Sequence, residues 1–191
     1  NPKNCGELDG QKRGIKGFND SNNTFYLTES DYSAIKITAI SRIDINTCSI
    51  IKRTDSEDLF PTISDFVNYG DSQLLGIGNI DTSKMLMIID KDNLNIVNTL
   101  NVSGENHTLF TGKNFTKSLI GIDSSVCIIS SSLELSSCIE IDHAASKIFE
   151  LGSYALVFGL KDLTIIDSNL NIMNSYTSSS LGLNEFFPYL S

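Results

Sequence analysis

The chain has 191 residues, of which 40% are hydrophobic and 19% are charged, a profile typical of a globular protein with a buried core. Its 14 basic and 23 acidic residues give a net charge of −9, which disfavours nucleic acid phosphates and anionic lipid headgroups as partners. The sequence has no apolar run of eighteen residues, so we predict no membrane span in this chain.

The first dozen residues show no clear periodicity, and we predict that residues 1–12 form an N-terminal segment outside the main domain. The basic residues Lys12, Arg13 and Lys16 are interpreted as part of a solvated tail. The chain begins at Asn1 rather than Met, which favours a removed signal peptide or a trimmed fragment.

From residue 13 onward, pairs of apolar runs alternate with short polar turns. The first run of each pair reads TFYLTE (24–29), QLLGIG (73–78), SLIGID (118–123) and YALVFG (154–159). The second run reads AIKITAIS (34–41), KMLMII (84–89), SVCIIS (125–130) and LTII (163–166). Each second run is followed by a turn of Asp, Ser, Asn and Lys residues, whose side chains favour tight turns. We therefore predict consecutive antiparallel strands.

One string recurs almost unchanged. IIDKDNLNIVN (88–98) returns as IIDSNLNIMN (165–174), and TAISRIDINTC (38–48) and CIISSSLELSS (127–137) fit the same frame. The equivalent isoleucines Ile40, Ile89, Ile129 and Ile166 are 49, 40 and 37 residues apart. A period of this size predicts an array of structural repeats.

The residues after each turn alternate in the order apolar, polar, apolar. The apolar pairs are Ile43 and Ile45, Leu94 and Ile96, Leu133 and Leu135, and Leu170 and Ile172. A period of two predicts a strand with one buried face and one wet face. The run before the turn, such as residues 86–89, is apolar on both faces, which is typical of a strand between two layers.

This difference between inner and outer strands resembles the blade of a β-propeller, over residues 13–191. The resemblance is to the class and not to one family, because the Trp-Asp pair of WD repeats, the double glycine of kelch repeats and the sialidase box are absent. It implies an innermost strand from PTISDFV (61–67), HTLFTG (107–112), KIFEL (147–151) and EFFPYL (185–190).

The predicted fold is all-β, with four antiparallel blade-like repeats in a partial or open β-propeller. The units run roughly over 13–67, 68–112, 113–151 and 152–191. The alternative fold is a β-sandwich.

No motif in the sequence indicates catalysis, a metal site or a cofactor. Gly-x-Ser-x-Gly and Cys-x-x-Cys are both missing, and His107 and His143 are expected to be exposed loop residues. GIGNID (76–81) lacks the third glycine of a dinucleotide loop, and DKDN (90–93) lacks the later ligands of a calcium loop. We predict a protein that is not an enzyme.

The four cysteines suggest an oxidising compartment. Cys127 and Cys138 lie at similar distances from the turn of one hairpin, which predicts a disulfide between them, and Cys5 is then expected to pair with Cys48. Five Asn-x-Ser/Thr sequences are candidate N-glycosylation sites, a number close to the chance expectation: Asn19, Asn22, Asn101, Asn106 and Asn114.

These observations favour a non-enzymatic secreted or extracellular-surface glycoprotein module that serves protein–protein interaction or structural assembly. Its partners are expected to be proteins, including further copies of the chain that assemble through edge strands, for example through the C-terminal NEFFPYLS. Two alternatives are a cytosolic propeller scaffold, with reduced cysteines, and a carbohydrate-active propeller enzyme, with a ring of acidic residues.

Overall fold

The computed structural model describes residues 12–19, 23–31, 37–54, 62–80, 82–184 and 186. The chain divides into two compact units, residues 1–101 and 102–191, and each contains two four-stranded antiparallel sheets. Within the described ranges the only helix is the 3-10 turn Ser179–Leu181. The prediction of an all-β chain with four antiparallel blade-like repeats is confirmed.

The first unit contains the first and second sheets. The first sheet comprises β1 (Lys12–Asn19), β2 (Thr24–Asp31), β3 (Ile37–Asp44) and β4 (Ser49–Arg53). The second comprises β5 (Thr62–Tyr69), β6 (Gln73–Ile80), β7 (Ser83–Asp90) and β8 (Ile96–Asn101). In both sheets each strand pairs with the next one along the chain, so every connection is a local antiparallel hairpin.

The second unit contains the third and fourth sheets, built in the same way. The third sheet comprises β9 (His107–Thr111), β10 (Ser118–Ile122), β11 (Ser125–Ile129) and β12 (Leu135–Glu140). The fourth comprises β13 (Lys147–Leu151), β14 (Tyr154–Phe158), β15 (Asp162–Ile166) and β16 (Ile172–Thr177).

Each unit has its own apolar core between its two sheets. In the first unit, Tyr26 and Ile40 of the first sheet pack against Phe66, Leu74 and neighbouring residues of the second sheet. Burying this apolar surface stabilises the pair of sheets by about 25 cal/mol per Å². The second unit has an equivalent cluster, described with the candidate surface below.

The second, third and fourth sheets each begin one strand earlier in the chain than the repeat units that we predicted. Residues 62–69 do not close the unit 13–67; they form β5, which opens the second sheet by pairing with β6 from Tyr69↔Gln73 onward. The reason is local: Gly70 has a φ of 70°, which lets the chain reverse tightly at that point. β9 and β13 likewise open the third and fourth sheets.

The two chain ends differ from expectation in a similar way. Residues 12–19 form β1, paired with β2, so the backbone of Lys12, Arg13 and Lys16 belongs to a strand and not to a tail. Backbone hydrogen bonds to β2 hold this segment in the sheet. The charges of its side chains gave no indication of these bonds. Residues 1–11 lie outside the described residues, as does the predicted C-terminal strand EFFPYL except for Phe186.

The leucines that we assigned to the strand after each turn lie in the turn itself. Leu94, Leu133 and Leu170 have positive φ values of 59°, 63° and 65°, and all three side chains are buried. The following strands begin only at Ile96, Leu135 and Ile172. The alternation that we interpreted as one strand therefore combines a turn residue, which points into the core, with the first residue of an edge strand.

Side chains at the start of these turns explain their shape. Oδ1 of Asp90 accepts the backbone N–H of Asn93 at 3.0 Å, and Oδ1 of Asp167 accepts that of Asn171 at 2.8 Å. Such bonds curl the chain and hold it in the turn. In the fourth sheet, the side-chain amide of Asn171 and backbone N–H groups also lower the pKa of Asp167.

Candidate interaction surface

The fourth sheet has one side in the core of the second unit. Side chains alternate along a strand, so every second residue shares a side. Ile148, Ala155, Val157 and Ile166 lie in an apolar cluster with Leu119 and Val126 of the third sheet. The intervening residues of β13, β14 and β15 therefore point to the opposite side.

We call that opposite side the outer face of the fourth sheet. It consists of Phe149, Leu151, Tyr154, Leu156, Phe158, Leu163 and Ile165. Strand register places these side chains next to one another: Phe149 pairs with Leu156, which pairs with Ile165. Leu151 pairs with Tyr154, and Phe158 with Leu163. The outer face is thus a continuous apolar surface across three strands.

Three of its seven side chains are exposed to solvent, whereas Leu163 is buried. Phe149 is 47% exposed, Leu151 57% and Tyr154 40%. Of the eleven large hydrophobic residues exposed in the described part of the chain, eight lie between residues 149 and 183, and three of these belong to the outer face. Scattered apolar residues on a surface need no explanation, but a contiguous patch marks a site of interaction.

Aromatic contacts extend the patch beyond the strands. The rings of Phe149 and Phe158 meet edge to face with centroids 5.7 Å apart, and Phe186 meets Phe158 in the same way at 5.3 Å. The backbone N–H of Phe186 donates to the carbonyl of Leu160, which is itself 45% exposed. Edge-to-face pairs favour a fixed arrangement of rings, so the patch has a defined shape.

The second sheet, by comparison, has buried side chains on both of its faces. Leu74 and Ile89 lie in the core of the first unit, and Leu75 and Ile88, which point the other way, are buried as well. The middle strands of the fourth sheet have the same apolar character on both sides, but Leu156 and Ile165 remain only half-buried. The outer face therefore has the chemistry of an internal sheet face, although three of its side chains are exposed.

One carboxylate fixes the loop behind this sheet. Glu150 of β13 accepts hydrogen bonds from the backbone N–H groups of Lys113, Asn114 and Phe115, the last at 2.8 Å. These bonds lower the pKa of Glu150, and the bond from the backbone N–H of Lys113 has the largest effect. Since Phe115 is buried against Phe110, the carboxylate ties the loop between β9 and β10 to β13.

The two histidines contact only groups that position loops. Nε2 of His107 lies 2.9 Å from the carbonyl oxygen of Ser103, and Nε2 of His143 lies 3.0 Å from Oγ1 of Thr164. Both rings are half-buried, where we expected exposed residues, because the loops before β9 and β13 fold back onto the sheets. Beside His107, Asp123 accepts backbone N–H bonds from Asn106 and Glu105, which lower its pKa.

The cysteines lie on or beside edge strands. Cys127 on β11 and Cys138 on β12 face each other across the sheet with Cα atoms 4.1 Å apart and are joined by a disulfide. Cys48 is also disulfide-bonded, whereas its predicted partner, Cys5, lies outside the described residues. In the described ranges there is no group of three or more His, Cys, Asp or Glu side chains able to hold a metal ion.

The candidate glycosylation residues are scattered and do not form a site. Asn101 ends β8 and Asn114 lies in the loop after β9, and both are exposed. Nδ2 of Asn106 contacts Oδ1 of Asp123 at 3.4 Å. Asn19 ends β1, and Asn22 lies outside the described residues. No helix in the described ranges is long and apolar enough to cross a bilayer.

The outer face was not identified from the sequence. KIFEL and YALVFG are visible as apolar runs, but both of their faces carry large apolar residues, so periodicity does not tell which face is covered. The only signal was that two consecutive runs carry aromatic residues: Phe149 in the first, and Tyr154 and Phe158, four positions apart, in the second.

No family model and no curated protein matches the chain. Solved structures do match. The Neurospora crassa Pan2 WD40 domain has a TM-score of 0.62 at 11% identity, over 86% of this chain and 49% of that chain. Saccharomyces cerevisiae Sqt1 has a TM-score of 0.62 at 8% identity, over 82% and 46%. BBS1N, solved in complex with ARL6DN, has a TM-score of 0.67 at 9% identity, over 89% and 56%.

At this level of identity the likeness concerns the fold. The chain spans about half the length of each of these structures. Its four consecutive four-stranded antiparallel sheets match those of WD40 and other β-propeller proteins, without pointing to a specific family. The chain therefore has the blade architecture of the β-propeller class.

Proposed function

We propose that this protein is a non-enzymatic interaction module, secreted or held at the cell surface, that binds another protein through the outer face of the fourth sheet. The observation that carries the proposal is the exposure of Phe149, Leu151 and Tyr154 side by side on one apolar sheet face. Aromatic and large aliphatic residues at the centre of a patch are the groups that contribute most to binding between proteins.

The proposed location outside the cytosol is supported by the disulfide between Cys127 and Cys138. Disulfides persist in oxidising compartments and are rare in the cytosol. A glycan at Asn101 or Asn114 is part of the same proposal, because both residues are exposed. Non-reduced peptide mapping of protein from its native source tests this part: oxidised Cys127 and Cys138 are expected, together with added hexose mass.

A cytosolic propeller scaffold is the second candidate. It is favoured by the fold match to the WD40 domain of Pan2. It predicts free thiols at Cys127 and Cys138 and no glycan. The same peptide map therefore separates the two locations, and either result leaves the binding role of the outer face to be tested separately.

Site-specific photocrosslinking tests the binding role. A photoreactive phenylalanine analogue replaces Leu151, which is 57% exposed, and in a matched control replaces Val97 of β8, which is 55% exposed. In extract or medium of the source organism, position 151 is expected to give a discrete protein adduct that excess unlabelled protein suppresses. Equal labelling from both positions, or none from position 151, would refute the proposal.

A further inference from the structure

We propose that Asn98 and Asn174 close the edges of the second and fourth sheets to the addition of a further strand. Each side chain occupies a backbone N–H group that an incoming strand would need as a hydrogen-bond donor. The two asparagines are the last residues of the recurring strings IIDKDNLNIVN (88–98) and IIDSNLNIMN (165–174), so the protection recurs together with the turn.

β8 and β16 are edge strands. β8 ends the second sheet and pairs with β7, and β16 ends the fourth sheet and pairs with β15. The other side of an edge strand presents backbone N–H and C=O groups, which pair readily with a strand of another chain. Assembly of copies through edge strands, which we expected from the sequence, would use these groups.

The register of the strands indicates which N–H groups point away from the sheet. Cys127 and Cys138 of the third sheet lie opposite one another with Cα atoms 4.1 Å apart, a spacing typical of a pair that shares no backbone hydrogen bond. The N–H of Cys138 therefore points away from β11. Thr99 and Ser175 occupy the same place in their sheets, because each is the fourth residue of its edge strand, as Cys138 is of β12. Their N–H groups point outward as well.

The asparagine side chains bond to these outward groups. Oδ1 of Asn98 accepts the backbone N–H of Thr99 at 2.9 Å, and Oδ1 of Asn174 accepts that of Ser175 at 3.0 Å. Nδ2 of Asn174 also donates to Oη of Tyr176 at 2.6 Å, which orients the amide. A strand that added to either edge would have to displace the asparagine from the N–H group.

The asparagine contacts occur where charged side chains are missing. Of the four strands that end the sheets, β8 (IVNTLN) and β16 (IMNSYT) carry no charge. By contrast, β4 (SIIKR) carries Lys52 and Arg53, and β12 (LSSCIE) carries Glu140. Charged side chains on an edge discourage the pairing of another strand. Asn98 and Asn174 therefore supply a protection that β8 and β16 do not obtain from charge.

A β-bulge lies beside each asparagine and makes this protection necessary. The register of β7 and β8 shifts so that Val97 is an extra residue in the edge strand, and Met173 is its counterpart in β16. Their side chains are 55% and 53% exposed. A bulge by itself disturbs pairing at one point of the edge. An uncharged edge with an exposed apolar side chain would otherwise offer another chain both hydrogen bonds and apolar contacts.

Replacement of the asparagines by leucine, which has a similar size and no acceptor oxygen, tests the contact. In NMR hydrogen-exchange measurements on the 191-residue protein, Asn98→Leu is expected to accelerate exchange of the Thr99 amide about fivefold, as for the loss of one modest hydrogen bond. Asn174→Leu is expected to have the same effect at Ser175. Both asparagines are exposed, so exchange in the inner strands β7 and β15 is expected to stay unchanged.

Sedimentation velocity tests the consequence for assembly. Asn98→Leu is expected to self-associate at a concentration about tenfold lower than the wild type, because a second copy can then pair with the edge of β8. Asn101→Leu is the matched control, since it makes the same substitution at another exposed position of the same strand. It is expected to behave like the wild type.

Three results would overturn the proposal. The first is unchanged exchange at Thr99 and Ser175 in the leucine variants. The second is equal self-association of Asn98→Leu and Asn101→Leu, which would assign the effect to added apolar surface. The third is faster exchange without self-association, which would mean that the edge is closed by other means. The two asparagines lie in different sheets, so a folding defect in one variant leaves the other to decide.

Discussion

Leu94 and Leu170 adopt the same left-handed backbone conformation in two different sheets, with φ values of 59° and 65°, and both side chains are buried. A residue other than glycine loses roughly 1–2 kcal/mol in this conformation. Full burial of a leucine contributes roughly 1.5–3 kcal/mol. The buried side chain thus offsets the backbone cost, and the turn closes the edge of the core beneath it.

This relationship predicts an unusual order of stability at position 94. Leu94→Ala removes the buried side chain and keeps the unfavourable φ, so we expect a loss of about 2–5 kcal/mol in the free energy of unfolding. Leu94→Gly loses the same contacts but adopts positive φ freely, so it is expected to be about 1 kcal/mol more stable than Leu94→Ala. Urea denaturation measures both.

Leu74 in β6 provides the control, because it is fully buried in an ordinary strand. There glycine is expected to be the worse replacement by about 0.5–1 kcal/mol, since it has greater freedom in the unfolded chain. Finding alanine superior to glycine at both positions would contradict our account of the turn.

Glu150 should make stability depend on pH. Its pKa is lowered in the folded state by backbone N–H bonds, so its contribution is present above the ordinary carboxyl pKa and is lost as pH falls through the lower folded value. Glu150→Gln is expected to reduce the free energy of unfolding at pH 7 and to flatten its decline in acid. Denaturation from pH 7 down to about pH 3 measures this dependence.

Glu105→Gln is the matched control for that experiment. Glu105 is exposed, and its backbone N–H, which donates to Asp123, is unchanged by the substitution. The control is expected to follow the wild-type pH profile. A Glu150→Gln variant with the wild-type profile would show that the carboxylate does not hold the loop.

A side chain at Gly121 in β10 should destabilise the protein unless the neighbouring Ala145 is replaced by a smaller residue. A Cβ at this position would lie 2.6 Å from Cβ of Ala145 and 2.9 Å from Cγ2 of Thr108. We expect Gly121→Ala to destabilise the protein by about 1–3 kcal/mol through overpacking. Adding Ala145→Gly removes the closer contact and is expected to restore about 1 kcal/mol of that loss. Strict additivity of the two substitutions would argue against the contact.

The disulfide between Cys127 and Cys138 should stabilise the folded protein by an amount that depends on the length of the loop that it closes. The two residues are 11 positions apart, and in the chain-entropy model a loop of this size contributes about 3 kcal/mol. Replacing both cysteines by serine is expected to lower the unfolding free energy by up to that amount. Because Cys48 is disulfide-bonded as well, reductant is expected to destabilise the wild type more than the double variant, and thermal denaturation of both with and without reductant measures the difference.

The sequence by itself determined what depends on near neighbours in the chain. Hairpins are local, so repeated apolar runs and polar turns were enough to predict four antiparallel units and the pairing of Cys127 with Cys138. The acidic residue in IIDKDN and IIDSN indicated a turn, because an aspartate side chain bonds to backbone groups only a few residues away.

The tertiary structure decided what depends on packing between strands that are distant in sequence. The apolar pattern at Leu94 and Leu170 fits a strand as well as a turn, and only the core beneath each leucine selects the left-handed turn. For the fourth sheet, both faces of β13 and β14 carry large apolar residues, and Ile148 became core while Phe149 became surface because the third sheet packs against one side only.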